Sequence, residues 1–382
     1  MNRFKIRTEV RFNINALDTL YEFNGMSAII ITDKFMVSSG IINKITDKMK
    51  GYKNIAVFDE ITPDPTTELI AKGLKFITEN GGEIVIALGG GSAIDAAKAI
   101  VLMGEKSGMG DLKLIAIPTT SGTGSEVTKF AVVTDNEEGR KFPLVDEQLI
   151  PDLAILDPEL VMSAPPSVTA DTGMDVITHA FEALVSVNNN DASDALAEKA
   201  LLLAFKYLPF AYQHGDDLVA RGKMHSASCL AGMAFNDVGL GINHGIAHAL
   251  GAKFHIPHGR ANALLLPHVI RYNAHLTACF GNEPTDAAQR YADIALMIGL
   301  PHDNIRIAVE SLIEEVKHMM RRMSMPATLW DAGVSKEQFL AEKDDIIKSA
   351  LEDACTGSNP REVDAAGIER ILSHITPGLE NQ

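Results

Sequence analysis

The most constraining feature of the chain is an alternation near its start. Short apolar runs rich in β-branched residues recur, each followed by a helical pattern. Ala28-Ile29-Ile30-Ile31-Thr32 ends at Asp33, and helix follows to about residue 50. Residues 54–58 form the second run, followed by the turn ITPDPT and a helical period over about 67–79. Glu83-Ile84-Val85-Ile86-Ala87-Leu88 is the third, stopped by Gly89-Gly90-Gly91, with helix over 92–103. Residues 114–117 are the fourth, stopped by Pro118. Strands that are apolar at every position must be covered on both faces. Alternating with helices, they predict a parallel sheet inside an α/β fold.

After Asp157-Pro158 the pattern changes. Val309, Leu312, Ile313, Val316 and Met320 repeat at the spacing of one buried helix face. Residues 192–207 form another long helical stretch, and no comparable β-branched run recurs. The sequence therefore predicts a Rossmann-like α/β half over 1–160 and an all-helical half over 161–382. A chain of 382 residues fits two domains.

Several classes are excluded. The longest stretch without Asp, Glu, Lys or Arg runs over 238–252 and holds two His and four Gly. A membrane span needs about 20 apolar residues. MNRFKIRTEVRF has basic residues but no apolar segment, so no secretory signal is expected. The 34 Lys and Arg against 50 Asp and Glu give a net charge of −16, which argues against nucleic acid as a partner. Cys229, Cys279 and Cys355 form no CxxC pair. They read as small buried hydrophobes in a reducing, cytoplasmic compartment.

Two loops look built for a ligand. EIVIAL runs directly into GGGSAIDAAKAI, where glycines let the backbone approach a phosphate closely. Ser92 reads as the N-cap of the helix, with Asp95 three residues later completing a capping box. The second loop, Pro118-Thr119-Thr120-Ser121-Gly122-Thr123-Gly124-Ser125-Glu126, is crowded with hydroxyls that suit phosphate or sugar oxygens. Both follow parallel strands at their carboxyl ends, the usual ligand crevice of such sheets. Asp33 is placed to meet a ribose hydroxyl and to repel a 2′-phosphate, which favours NAD over NADP.

The histidines are unevenly spread. His244, His248, His255, His258, His268 and His275 fall in one window. Upstream, GMDVITHAFEA sets Asp175 and His179 four residues apart, on one helix face. A carboxylate with several imidazoles suits Fe²⁺ or Zn²⁺ rather than Mg²⁺ or Ca²⁺. His268 and His275 fit ordinary helix-face positions. Spacing alone does not separate Asp171 from Asp175, nor choose among His244, His248, His255 and His258.

With these segments in hand, the chain resembles the iron-containing (group III) alcohol dehydrogenases over essentially its whole length. The resemblance rests on ALGGGSAIDAAKAI, IPTTSGTGSEVT, ADTGMDVITHAFEA and GLGINHGIAHALGAKFHIPHGRANALLLPHV. FDEITPDPT, PDLAILDPELV and RGKMHSASCLAGMAF resemble the propanol dehydrogenase branch of propanediol-utilising bacterial microcompartments. It implies an NAD(H)-linked enzyme interconverting a short primary alcohol and its aldehyde, with one divalent cation, Fe²⁺ before Zn²⁺. It implies Asp175, His179, His244 and His258 as metal ligands and places His248 beside nicotinamide and substrate, where it is the candidate proton relay. Asp33 would contact the adenosine ribose. Gly90, Gly91 and Ser92 would hold the pyrophosphate, and Asp95, Thr119, Thr120 and Thr123 would line the cofactor site. Lys141 matches a family lysine at the cofactor ribose. Asp64 stands where the family usually has Asn, on the adenine side. His255 is atypical and is expected at a pocket edge or on the surface. The resemblance also implies a homodimer or larger assembly, with microcompartment shell or enzyme partners for that branch. The competing readings are a glycerol- or 1,3-propanediol-type diol dehydrogenase on the same fold, a non-redox metal-dependent synthase or lyase, and a nucleotide-binding scaffold without turnover.

Overall fold

The computed structural model describes residues 4–136, 140–276 and 284–379. Cys279 therefore lies outside the described residues, and so does the side chain of Lys141. The chain divides into two compact units, Met1–Ala164 with Gly215–Asn236, and Pro165–His214 with Asp237–Gln382.

The first unit is built on a six-stranded parallel sheet. Its strands are β1 (Glu9–Phe12), β2 (Ser27–Asp33), β3 (Asn54–Ile61), β4 (Ile84–Gly89) and β5 (Lys113–Pro118). An antiparallel hairpin of β6 (Phe130–Asp135) and β7 (Arg140–Val145) follows, and β8 (Leu153–Leu156) completes the sheet. Helices α1 (Lys34–Ser38), α2 (Ile41–Thr46), α3 (Thr67–Asn80) and α4 (Gly91–Lys106) make the crossovers. The unbroken apolar runs are explained by the two faces. Ile29, Ile31, Val85 and Ala87 pack with Ile77 of α3 and Ile100 of α4. Ala28, Ile30, Ile84, Ile86 and Leu88 pack on the other side with Ile41, Ile42 and Ile45 of α2.

The strand order is β1-β8-β5-β4-β2-β3. The chain steps from β2 to β3 on one side, then returns to lay β4 on the other side of β2. The switch point thus falls between β2 and β4, where such sheets open a ligand crevice. Asp33 ends one of these strands and Gly89 the other. The helix expected up to residue 50 is broken, because Gly40 takes φ +78° between α1 and α2.

The second unit is helical. It comprises α5 (Pro166–Val185), α6 (Asp191–Gln213), the end of α7 (Leu218–Val238), α8 (Ile242–Phe254) and α9 (His258–Ala274). Helices α10 (Asp286–Met297), α11 (Ile305–Arg322), α12 (Lys336–Glu352) and α13 (Ala365–Ile375) follow. Its core joins Ile246 and Leu250 of α8, Leu265 and Val269 of α9, Phe339 and Ile346 of α12, and Ile368 and Ile371 of α13. On α11, Val309, Leu312, Ile313, Val316 and Met320 are buried, the face that their spacing marks. Among the described residues, no helix is long and apolar enough to cross a membrane.

A single boundary near residue 160 does not describe the division. Residues 215–236 return to the first unit. Cys229 on α7 packs with Val127, Ala154 and Leu156. Gly232 lies so close to Gly124 that a Cβ on Gly124 would sit 2.7 Å from its Cα. Helical periodicity marks a buried face but not the body against which that face packs.

Candidate metal centre and nucleotide loops

The strand-to-helix turn after β4 needs its glycines. Gly89 takes φ +148°, and a Cβ there would meet the Ala93 Cβ at 2.7 Å. A Cβ on Gly91 would lie 2.8 Å from Thr123 Cγ2, so this turn and the 118–126 loop are in close approach. The expected capping box is not formed. Helix α4 starts at Gly91, its N-cap is Gly90, and no side chain caps it. Thr123 leaves no room for a side chain at Gly91, so glycine rather than Ser92 opens the helix. Such a bare N-terminus suits a phosphate.

The other predicted cofactor residues gather in the same unit. Asp33 caps α1 through Oδ1, which accepts from Met36 N at 3.0 Å. Its Oδ2 lies 3.6 Å from where a Gly89 Cβ would stand, so it sits beside the glycine turn. Thr119 N donates to the Gly89 carbonyl at 2.9 Å. Thr120 Oγ1 lies 3.4 Å from the Cβ position of Gly90. Thr123 Oγ1 accepts from Ser125 N at 3.2 Å. Asp64 takes φ +56°, a left-handed turn that Asn and Asp share. Asp95 is engaged inward instead of closing a cap. Its carboxylate accepts from Ser125 Oγ and, at 3.0 Å, from Val132 N.

Two residues beneath these loops carry no motif signal. Lys98 is fully buried on α4 and donates to Ser125 Oγ (2.9 Å), Thr128 Oγ1 (3.1 Å) and the Phe130 carbonyl (2.9 Å). Burial pushes its ammonium down to about 8 and pushes Glu126 up to about 7. His225 of α7, which reads in the sequence as an ordinary helix residue, places Nδ1 3.0 Å from Ser121 Oγ.

In the second unit the histidine cluster assembles. Helix α5 carries Asp175 and His179 one turn apart, α8 supplies His244, and α9 begins with His258. One ligand atom from each lies within 4.8 Å of all the others. Asp175 Oδ1 is 4.0 Å from His179 Nε2, 3.7 Å from His244 Nε2 and 3.4 Å from His258 Nε2. A cation held at about 2.1 Å spaces tetrahedral ligands by roughly 3.4 Å. The donor set and its span therefore fit one Fe²⁺ or Zn²⁺ ion.

The alternatives left open by spacing are now distinguishable. Asp171 is forked onto Arg260, at 3.2 and 3.0 Å, outside the cluster. His255 is exposed and ends α8 in a left-handed turn at φ +54°. His248 gives Nδ1 to Asp353 Oδ2 at 2.9 Å, and its ring stacks on His258 at 5.3 Å. His268 instead stacks on His374, at 4.9 Å.

The sequence reading missed the residues behind the ligands. Buried Glu182 pairs with His244 Nδ1. Asn262 Nδ2 reaches Asp175 Oδ1 at 2.7 Å and stands 3.1 and 3.2 Å from the Nε2 atoms of His244 and His258. A signal existed for Glu182: with Asp175 and His179 it falls at i, i+4 and i+7, a single helix face. Electrostatics follow from these contacts. Burial opposes charge on His244, yet Glu182 and Asp175 outweigh it and push the imidazole up to about 9. Burial likewise opposes charge on Asp175, but the surrounding imidazoles hold its carboxyl well below the usual range.

Comparison with known proteins decides the family. The description "Iron-containing alcohol dehydrogenase" matches residues 8–158, and "Fe-containing alcohol dehydrogenase family, C-terminal" matches residues 169–376. The chain belongs to the iron-containing alcohol dehydrogenases. This alcohol dehydrogenase is 44% identical over 377 residues to 1-propanol dehydrogenase PduQ of Salmonella typhimurium, covering 98% of this chain and 100% of the relative. Its fold matches a solved 1,3-propanediol oxidoreductase with a TM-score of 0.88 at 33% identity, over 97% of this chain and 99% of the other. It also matches sulfoacetaldehyde reductase from Bifidobacterium kashiwanohense, solved in complex with NAD+, with a TM-score of 0.87 at 29% identity over 99% of each chain.

Proposed function

We propose that this dehydrogenase interconverts a short primary alcohol, 1-propanol or ethanol in type, and its aldehyde by hydride exchange with NAD(H). The observation that carries the reading is the set of one carboxylate and three imidazoles converging within 4.8 Å. When bound, a divalent cation polarises the substrate oxygen and the nicotinamide carries the hydride. Asp175, His179, His244 and His258 would hold that cation, Fe²⁺ in preference to Zn²⁺. Gly90, Gly91 and Ser92 would bind the pyrophosphate, with Thr119, Thr120, Thr123 and Asp95 lining the cofactor. Asp33 would bind the adenosine ribose and disfavour a 2′-phosphate. Asp64 would stand on the adenine side and Lys141 at the cofactor ribose. His248, held through Nδ1 by Asp353, is the candidate proton relay, with Nε2 as the nitrogen that would exchange the proton.

The likeness to 1-propanol dehydrogenase PduQ supports a short primary alcohol. The motif resemblance adds a place in a bacterial microcompartment within the cytoplasm, as part of a homodimer or larger assembly. The likeness to 1,3-propanediol oxidoreductase supports a diol as the second reading. An NADH absorbance assay tests both, using propionaldehyde, acetaldehyde and 3-hydroxypropionaldehyde, with and without added Fe²⁺. Fe²⁺-dependent NADH oxidation, fastest with an unsubstituted aldehyde, is expected. A preference for the hydroxyaldehyde selects the diol reading, and no aldehyde-dependent oxidation overturns both.

A further inference from the structure

Helix α8 lacks a cap of its own. Its N-cap is Gly241, which has no side chain to offer. Ile242 N donates to Asn359 Oδ1 at 3.2 Å, and the next two N–H groups face a carboxylate that arrives from α5. Glu182 Oε1 accepts from Asn243 N at 2.7 Å and lies 3.4 Å from His244 N. Its Oε2 meets Nδ1 of His244. The approach depends on glycine, because a Cβ on Gly241 would stand 2.8 Å from Glu182 Oε1. A carboxylate at a helix N-terminus is favoured by the unpaired donors and by the helix dipole.

We propose that Glu182 is the positioning residue of the metal centre, docking the start of α8 and fixing the tautomer of His244. The proposal rests on the reading that Asp175, His179, His244 and His258 hold a divalent cation. A coordinating imidazole must present a lone pair to the metal, so its proton must sit on the other nitrogen. A carboxylate in the place of Glu182 would take the Nδ1–H of His244. That leaves Nε2, on the side of Asp175 and Asn262, as the nitrogen that would face a cation. The same carboxylate acts on a second ligand. It holds the backbone of Asn243, whose Nδ2 donates to Asn262 Oδ1 at 2.9 Å and to the Asn262 carbonyl at 3.1 Å. That turns the NH₂ group of Asn262 toward Asp175 Oδ1. One acid thus sets the direction of a ligand on α8 and, through two amides, of a ligand on α5.

Glu182→Gln separates this role from plain packing. Glutamine has the same shape, and its carbonyl oxygen still accepts from Asn243 N. Its NH₂ then faces His244 Nδ1, which favours the tautomer with a proton on Nε2. Zn²⁺ affinity is measured by competition with a chromophoric chelator, alongside the absorption spectrum of the Co²⁺-loaded protein. NADH binding and thermal unfolding of the metal-free protein serve as controls. The expected result is a Zn²⁺ affinity reduced about 10- to 100-fold and an altered Co²⁺ spectrum, with NADH affinity unchanged. Unchanged Zn²⁺ affinity in folded Glu182→Gln overturns the proposal. A lowered unfolding temperature with full affinity also overturns it and leaves Glu182 a structural cap. If Glu182→Gln does not fold, Glu182→Asp draws the charge back by one methylene and should lose part of the affinity; wild-type affinity overturns the proposal. A wild type that binds no Zn²⁺ or Fe²⁺ overturns the underlying metal reading, and this proposal with it.

Discussion

Lys98 and His225 show how burial decides the state of an ionisable group. Lys98 keeps its ammonium by donating three hydrogen bonds, with Asp95 and Glu126 supporting its charge. His225 is almost fully buried, and burial lowers its pKa from 6.5 to about 4. Between those values the unfolded chain takes up a proton that the native chain refuses. Stability contributed by neutral His225 is therefore present above pH 6.5 and is lost as the pH falls toward 4, by up to about 3 kcal/mol. Urea denaturation of wild type and His225→Leu at pH 7 and pH 4.5 isolates the effect. The difference should move by roughly 2–3 kcal/mol in favour of the Leu variant at the lower pH. A constant difference would mean that His225 titrates as an ordinary exposed imidazole.

At the scale of elements, the crossing of α5 and α9 brings Asp175 and His258 together. A Cβ on Gly259 would overlap the Asp171 carbonyl, so the two helices meet at their closest where Asp171 also grips Arg260. Gly259→Ala must push them apart and separate His258 from Asp175. The expected cost is about 1–3 kcal/mol or more by overpacking, together with weakened cation binding. Wild-type stability and affinity would show that the crossing tolerates a methyl group. What was legible in the sequence follows the same physics. The runs at 28–32, 83–88 and 114–117 were visible because strands buried on both faces must be apolar throughout, and the run at 54–58, on edge strand β3, by its own apolar residues. β1 was not, since it is a four-residue edge strand with Phe12 58% exposed. β8 has only four residues, too short a run to mark a strand by its pattern. Ser92 looked like a cap because hydroxyls usually are; the helix instead starts at Gly91, where Thr123 crowds out a side chain, and Gly90 takes the cap position. The face shared by Asp175, His179 and Glu182 is readable from spacing alone, whereas the pairing of Asp171 with Arg260 needs the fold.

At the scale of the whole molecule, the loops proposed for the cofactor and the side chains proposed for the cation belong to separate units. The glycine turn, Asp33 and the 118–126 loop lie in the first, and Asp175, His179, His244 and His258 in the second. The two binding functions should therefore be separable by mutation. His258→Ala should lose cation-dependent turnover by a factor of about 100 or more, while NADH affinity, read by fluorescence titration, stays within twofold. Loss of NADH binding along with the cation would show that the two sites depend on each other.

The ligand shell itself can be counted by X-ray absorption fine structure on protein loaded with one equivalent of Zn²⁺ or Fe²⁺. Nitrogen and oxygen donors alone, with the outer scattering of three imidazole rings, are expected. A sulfur donor, or scattering from fewer than two rings, would mean that the cation is not held by Asp175, His179, His244 and His258.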